Sequence, residues 1–446
     1  MSYDTCLLSD IATIQGGYAF KSADFGEVGV AVVKIANIQP PFVSTNNVDR
    51  VKESTVEGLD RFKLADGDIL MAMTGATVGK VGRFKETETA YLNQRVARIK
   101  SKKGGAFDDF VYAVVTQPGF EKLIEGVSAG SAQANISAQG IGSVRIPSLT
   151  DDQKIKIGAL AKSLNDSITI LREMNTTLET IAQTIFKSWF VKFEYIKNNL
   201  GDGQIDSSNE DFTELIPESF IQSELGEIPK GWSVQLLGDY LDVLETGRRP
   251  KGGVSGIDGG IPSIGAESIV KIGEFDFQKL KFVSMDFFEK MKSGKLQSRD
   301  VLLYKDGGKP GVFLPRVSMF GDEFPFDVCG INEHVFRMRI KKPFSQTFLY
   351  FWLWSDAVMH ELKHRGGKAA IPGINQSDVK DLKIAVPAHQ LLMRFEKITE
   401  PIVSRILANS KKMKTLTDLR STLLPHLISG QLKLSETDAV TERAVA

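Results

Sequence analysis

The chain has 446 residues, about three times a typical ~150-residue domain, so two or more packed units are expected. Hydrophobic residues at 42% and charged residues at 25% exclude a disordered or collagen-like chain; no apolar run approaches the ~18 residues of a membrane span, and Met1 to Thr5 lack a leader pattern. Lys+Arg and Asp+Glu both number 55, so net charge does not advertise nucleic acid; Cys6 and Cys329 alone supply neither a disulfide framework nor a four-thiolate zinc site, and a cytoplasmic setting is expected.

In chain order, residues 1–150 read as a mixed body. Short β-favouring runs such as Val30 to Ile38 are broken by glycine and proline, Asp68 suggests a turn into a buried strand at Ile69-Leu70, and Phe110 to Ile124 carries a short apolar helix pattern. Residues 151–197 are predicted helical: Leu160, Leu164, Ser167, Leu171, Met174, Leu178, Ile181 and Ile185 alternate spacings of four and three, the period of a coiled-coil seam. Thr150-x-x-Gln153 supplies a capping box at its start. Residues 198–230 carry eight acidic side chains against Lys230 alone, with Gly201, Gly203, Pro217 and Pro229, and read as an acidic linker. A second mixed body follows at 231–387, with a β run at Lys279 to Val283 and an apolar helix pattern at Phe348 to Leu362. Residues 388–434 repeat the helical seam more weakly through Phe395, Ile398, Ile402, Asn409, Met413, Leu416, Arg420, Leu423 and Leu427, with Arg405 and Asn409 as polar interruptions. Residues 435–446 read as a disordered tail.

The two halves echo each other. Gly67 to Gly82 is matched by Arg299 to Phe313, with Asp68 on Asp300 at an offset of 232, and Tyr91 to Lys100 is matched by Gly330 to Arg339, with Asn93 on Asn332 at an offset of 239. Ile136 then matches Ile374, and Gln153 matches Gln390. Four ordered matches imply an internal duplication. Helices of about 40 residues would span roughly 60 Å each and need a partner of equal length. The other copy supplies one, so the fold expected is α/β (α+β): two mixed globular bodies, a long antiparallel two-helix coiled coil and a pseudo-twofold repeat.

Three motifs suggest chemistry that their context withholds. His360-Glu361-Leu362-Lys363-His364 spells H-E-x-x-H, but Ala370 stands where a third zinc ligand would fall, and the first body has Leu123 and Val127 at the two histidine positions. Gly75 to Lys80 is one residue short of a phosphate loop and is followed by Val81 instead of Ser or Thr. Gln39-Pro40-Pro41-Phe42 is one residue from the Asn/Asp-Pro-Pro-aromatic motif of amino-methyltransferases, with no methyl-donor fold before it. Binding is therefore a better reading than catalysis, with no catalytic, cofactor-binding or metal residue expected.

The duplicated Gly-Asp-Ile-Leu strand with its Thr-Gly loop, the Asn-Gln-x-Val block at Asn93, the Ile146-Pro147 stretch leading to Gln153, and Leu423 to Leu432 resemble the specificity subunit of type I restriction-modification enzymes. The likeness runs from Leu8-Ser9-Asp10-Ile11 to about Leu434. It implies two target recognition domains, 1–150 and 231–387, that each read one half of a split double-stranded DNA sequence. The helical regions would fix the unread spacer. It also implies two methyltransferase subunits that modify adenine N6 and two motor-endonuclease subunits, with S-adenosylmethionine, ATP and magnesium held by those partners. A structural scaffold without DNA reading, and more remotely a zinc hydrolase, are the competing readings.

Base edges are read by Arg, Lys, Asn and Gln from loops on a rigid body. The candidates are Lys21, Thr74, Lys80, Arg83, Ser131, Gln133 and Asn135 in the first body, and Arg248, Arg249, Lys251, Lys309, Arg316, Arg365, Lys368 and Asn375 in the second. Phe186, Trp189 and Phe190 crowd the end of the first helix and are expected to form a partner-binding face, with aromatic packing at a helix crossing as the alternative.

Overall fold

Asp68 and Asp300 each close a turn before a strand. Asp68 Oδ2 accepts from the Ala65 amide at 2.9 Å and Asp300 Oδ2 from the Gln297 amide at 2.7 Å, a local bond that short acidic side chains make readily. The strands that follow, Ile69–Ala72 and Val301–Tyr304, are buried along their whole length. Successive side chains on the first face opposite ways: Ile69 and Met71 join one core, Leu70 and Ala72 another. A strand covered on both faces explains why this run is uninterruptedly apolar.

The computed structural model describes residues 4–128, 135–201, 217, 219–257, 259–308, 311–367 and 371–432. The chain divides into two units: one combines the segment up to Ile168 with the segment from Thr415 onward, and the other runs from Thr169 to Lys414.

In the first unit the main sheet begins in the order Ala12–Gly16, Val96–Ser101, Ile69–Ala72, Val81–Phe84, each neighbour antiparallel. In the second the order is Leu241–Thr246, Val335–Ile340, Val301–Tyr304, Val317–Met319, again antiparallel throughout. The smaller sheets also correspond. Ala90–Leu92 runs parallel to Val30–Val33, as Gly330–Ile331 does to Ile261–Ile264. Thr5–Leu7 pairs with Arg145–Pro147, and Ser233–Leu236 pairs with Lys383–Val386. Even the buried ion pair recurs: Arg98 meets Asp68 at 3.2 Å, and Arg337 meets Asp300 at 2.5 Å. Asp300 is fully buried; burial pushes its pKa above the ordinary carboxyl value despite Arg337 and Arg339.

The apolar helix patterns become two helices in each unit, Ala106–Thr116 with Phe120–Ser128, and Gln346–Leu353 with Asp356–Gly366. Pro118 and Gly119 separate the first pair.

The long helices run from Asp151 to Phe190 and from His389 to Ile428. Within the first unit Arg420 bonds Asn165 at 2.6 Å; within the second Asn175 bonds Ser410 at 2.9 Å, and Phe190 packs on Phe395. In the second unit rising numbers on one helix meet falling numbers on the other, so the pairing there is antiparallel. The seam is turned in part from the expected one. Met174 and Ile181 are exposed, while Ala161, Ile168, Asn175, Ala182 and Trp189 are buried at strict heptad spacing. Small side chains at 161 and 182 leave room for the opposing structure, and Asn175 is accommodated because Asn409 and Ser410 satisfy its amide. Leu164 of the expected seam is buried, and Leu160, Leu178 and Ile185 pack against the cores, so the departure is at Met174 and Ile181, where apolarity favoured the exposed neighbour of Asn175 and Ala182.

Two further expectations need correction. The acidic segment 198–230 is not a linker along its whole length: Glu194–Gly201 is helical and Phe220–Ser223 pairs with Gly226–Pro229 in a hairpin whose Ile228 lies in the second unit's core. Phe186, Trp189 and Phe190 are buried in that core against Phe348 and Phe395, which leaves them no face for a partner. The expected tail lies outside the described residues.

Candidate nucleic-acid interface

The strongest geometric correspondence between the units is a turn held by backbone bonds. In the first, Asn93 donates its amide to Val33 and accepts from the Arg95 amide through Oδ1 at 3.2 Å. The Gln94 amide donates to Tyr18, the Arg95 carbonyl accepts from Met73, and the Met73 carbonyl accepts from Ile136. In the second, Asn332 donates to Ile264 and accepts from the His334 amide at 3.0 Å. The His334 carbonyl accepts from Lys305, and the Lys305 carbonyl accepts from Ile374. The asparagine acts as a local brace, and the turn it forms brings together three loops distant in sequence. Thr74 pairs with Asn135 beside the first turn, as Asp306 does with Gly373 beside the second.

A glycine admits each turn. A Cβ on Gly17 would lie 2.2 Å from the Asn93 carbonyl oxygen, and one on Gly247 would lie 1.6 Å from that of Ile331. No side chain fits such an approach of two backbones.

The side chains on these frames differ. Gln94 and Arg95 are exposed and make no side-chain bond among the described residues. Glu333 and His334 belong to a charged cluster: His334 Nδ1 contacts Asp306, its Nε2 lies 3.4 Å from Glu333, and Arg249 Nε lies 3.4 Å from Glu333. Lys305 pairs with Asp306. Burial alone would raise the Asp306 pKa, but the bonds from Lys305 and His334 prevail and hold it below the usual value. Glu267 is treated alike, with burial opposed mainly by Lys281, whose ammonium is 2.8 Å away. Glu333 Oε2 is buried without a hydrogen-bond partner among the described residues.

The predicted DNA-contacting residues fall into three groups. Lys21, Lys80, Arg248 and Lys251 are exposed and make no ion pair among the described residues. Arg249 lines a groove of about 700 Å³ with Gly253 to Ile257 and Leu280 to Phe282. Asn135 is exposed beside Thr74, whose hydroxyl is buried without a partner among the described residues.

The second group is engaged in holding the fold. Arg83 bonds Asp109 at 2.8 Å and lies over the Tyr112 ring; Arg316 donates to the Ala266 carbonyl at 2.7 Å and lies over Tyr304, whose pKa burial raises. Arg365 bonds Glu361 and the Asp378 carbonyl, tying two helices together. Asn375 accepts from the Asp378 amide at 3.0 Å, capping the helix Gln376–Lys380. These four are structural contacts in the free chain. Gln133, Lys309 and Lys368, with Ser131, lie outside the described residues.

The turn residues Gln94, Arg95, Glu333 and His334 were not among the sequence candidates. Their signal was present: each follows directly on the repeated asparagine. His360 and His364 are exposed on one helix, with Glu361 bonded by Arg365; among the described residues no three His, Cys, Asp or Glu side chains are grouped to hold a metal. No helix among them is long and apolar enough to cross a membrane.

Residues 2–180 match the family described as the type I restriction modification DNA specificity domain. That match covers the first part of the chain, and over nearly its whole length the chain is similar to type I restriction enzyme specificity subunits. It is 24% identical over 445 residues to the type I restriction enzyme MjaIX specificity subunit of Methanocaldococcus jannaschii, covering 97% of this chain and 94% of that one. It is also 24% identical over 357 residues to the HindI specificity subunit of Haemophilus influenzae, covering 70% and 74%. The crystal structure of a type I restriction-modification S subunit from M. genitalium shares the fold, with a TM-score of 0.50, 14% identity and 96% of each chain covered.

Proposed function

We propose that this specificity subunit reads a bipartite, asymmetric DNA target with a fixed unread spacer, directing adenine-N6 methylation and restriction by its partners. The observation that carries this reading is one backbone frame present in two units with unlike side chains. Equal frames suit two reading heads; unlike side chains suit two different half-sites. The target recognition domains are 1–150 and 231–387, and the helical regions 151–197 and 388–434 hold the spacer.

Lys21, Lys80, Arg248 and Lys251 would meet phosphates, with Asn135 and Arg249 closer to the bases. Two methyltransferase subunits would supply S-adenosylmethionine chemistry, and two motor-endonuclease subunits would use ATP and magnesium. Since Phe186, Trp189 and Phe190 are buried, the methyltransferase contact falls instead to exposed apolar side chains of the first long helix, Ile170, Met174 and Ile181. These lie on one helical face, and exposed apolar residues in a row suit a partner helix.

Methyladenine is mapped in DNA treated with the chain, its methyltransferase partner and S-adenosylmethionine. Two short motifs separated by a constant gap are expected, and the gap should change when residues are inserted in both long helices. Methylation without a gapped motif would count against the reading. Loss of one half-site in the triple alanine variant of Arg248, Arg249 and Lys251 separates it from a scaffold that does not read DNA.

A further inference from the structure

We infer that the two residues after each buried asparagine, Gln94-Arg95 in one unit and Glu333-His334 in the other, set base preference in their respective half-sites. The inference rests on the DNA-reading function proposed above and deepens it.

Both turns are rigid before DNA arrives. Their backbone amides and carbonyls are bonded to strands and loops of the same unit, and the asparagine side chain holds the second amide of each turn. A side chain from such a frame can be placed at a base edge without ordering a loop. Lys21, Lys80, Arg248 and Lys251 are long cations on neighbouring stretches of the chain, suited to phosphates instead.

The two turns offer opposite chemistry. Arg95 is an uncommitted donor fork that matches the O6 and N7 acceptors of guanine, and Gln94 can accept from N6 and donate to N7 of adenine. The first half-site should therefore contain a guanine read by Arg95. In the second unit Glu333 presents an acceptor. Arg249 and His334 face Oε1, each at 3.4 Å, which orients the carboxylate, while Oε2 has no hydrogen-bond donor among the described residues. An unsatisfied acceptor is costly, and because the Glu333 side chain is only part-buried, its rotation would bring this oxygen out to an exocyclic amine, cytosine N4 or adenine N6, that satisfies it. The second half-site should contain an amino-bearing base at that position. His334 acts as a positioning residue, held between Glu333 and Asp306.

The test uses the full chain with its methyltransferase partner and duplexes carrying the mapped target, each base pair changed in turn. Arg95→Ala should reduce discrimination about tenfold to a hundredfold at one base pair of one half-site and leave the other half-site's profile intact. Glu333→Gln should do the same at one pair of the other half-site. The untouched half-site reports folding and assembly within the same molecule. If Arg95→Ala is inactive throughout, Arg95→Lys keeps the charge but not the fork and should show the single-position relaxation. Unchanged profiles, or a uniform loss at all positions in every variant, would overturn the assignment. A wild-type complex that methylates without a gapped motif would instead sink the DNA-reading function itself.

Discussion

In the first unit the turn after the buried asparagine ends in Gln94 and Arg95, exposed and uncommitted among the described residues; in the second it ends in Glu333 and His334, tied to Arg249 and Asp306. Apart from the bond of the Gln94 amide to Tyr18, the backbone beneath them is bonded alike in both. The frame is therefore specified by the buried Asn93 or Asn332, the buried aspartate before the central strand, and the close backbone approach at Gly17 or Gly247. Main-chain bonds are indifferent to the side chains that point away from them, so the frame can be duplicated while its surface chemistry diverges.

The shared frame is most vulnerable at the aspartate. Asp300→Ala leaves Arg337 without one of its two acidic partners in a buried site and should cost about 3–5 kcal/mol in chemical denaturation. Asp68→Ala should cost less, because Arg98 meets Asp68 at the longer 3.2 Å and also bonds the Lys63 and Arg61 carbonyls and Gln15. Equal losses would mean that the two frames are energetically the same despite their different ion pairs. Gly17→Ala and Gly247→Ala force a methyl group into a backbone carbonyl; each should lower stability by roughly 1–3 kcal/mol and weaken reading only in its own half-site. Thermal melts and half-site methylation profiles check both.

The helix pair offers a smaller lever. Asn175→Leu removes the partner of the Asn409 amide and should cost about 1–3 kcal/mol, part of which returns when Asn409→Leu is added. Absence of that recovery in a double-mutant cycle would show that seam packing, not amide pairing, dominates. The caps compare the units directly: Ser137 accepts from Gly140 and Asn375 from Asp378, both at 3.0 Å, so alanine at either site should cost about 1 kcal/mol. The least effect belongs to Lys21→Ala and Lys80→Ala, which should weaken binding evenly across sequences and lower the salt slope by about one each, read in DNA titrations at several salt concentrations.

The residues alone determined that this chain is duplicated, that each half joins a mixed body to a long helix, and that Asp68, Asp300, Asn93 and Asn332 hold equivalent places, because these features are patterns along the chain. The tertiary structure decided which helix face is inside. Met174 and Ile181 are more apolar than Asn175 and Ala182, yet burial followed close packing and amide pairing across to residues more than two hundred positions away. It also decided that Phe186, Trp189 and Phe190 fill a core, that Arg83, Arg316 and Arg365 brace the fold, and that Gln94, Arg95, Glu333 and His334 stand at the presented turns. Local sequence records what a residue prefers; which partners satisfy it depends on distant segments that only the folded chain brings together.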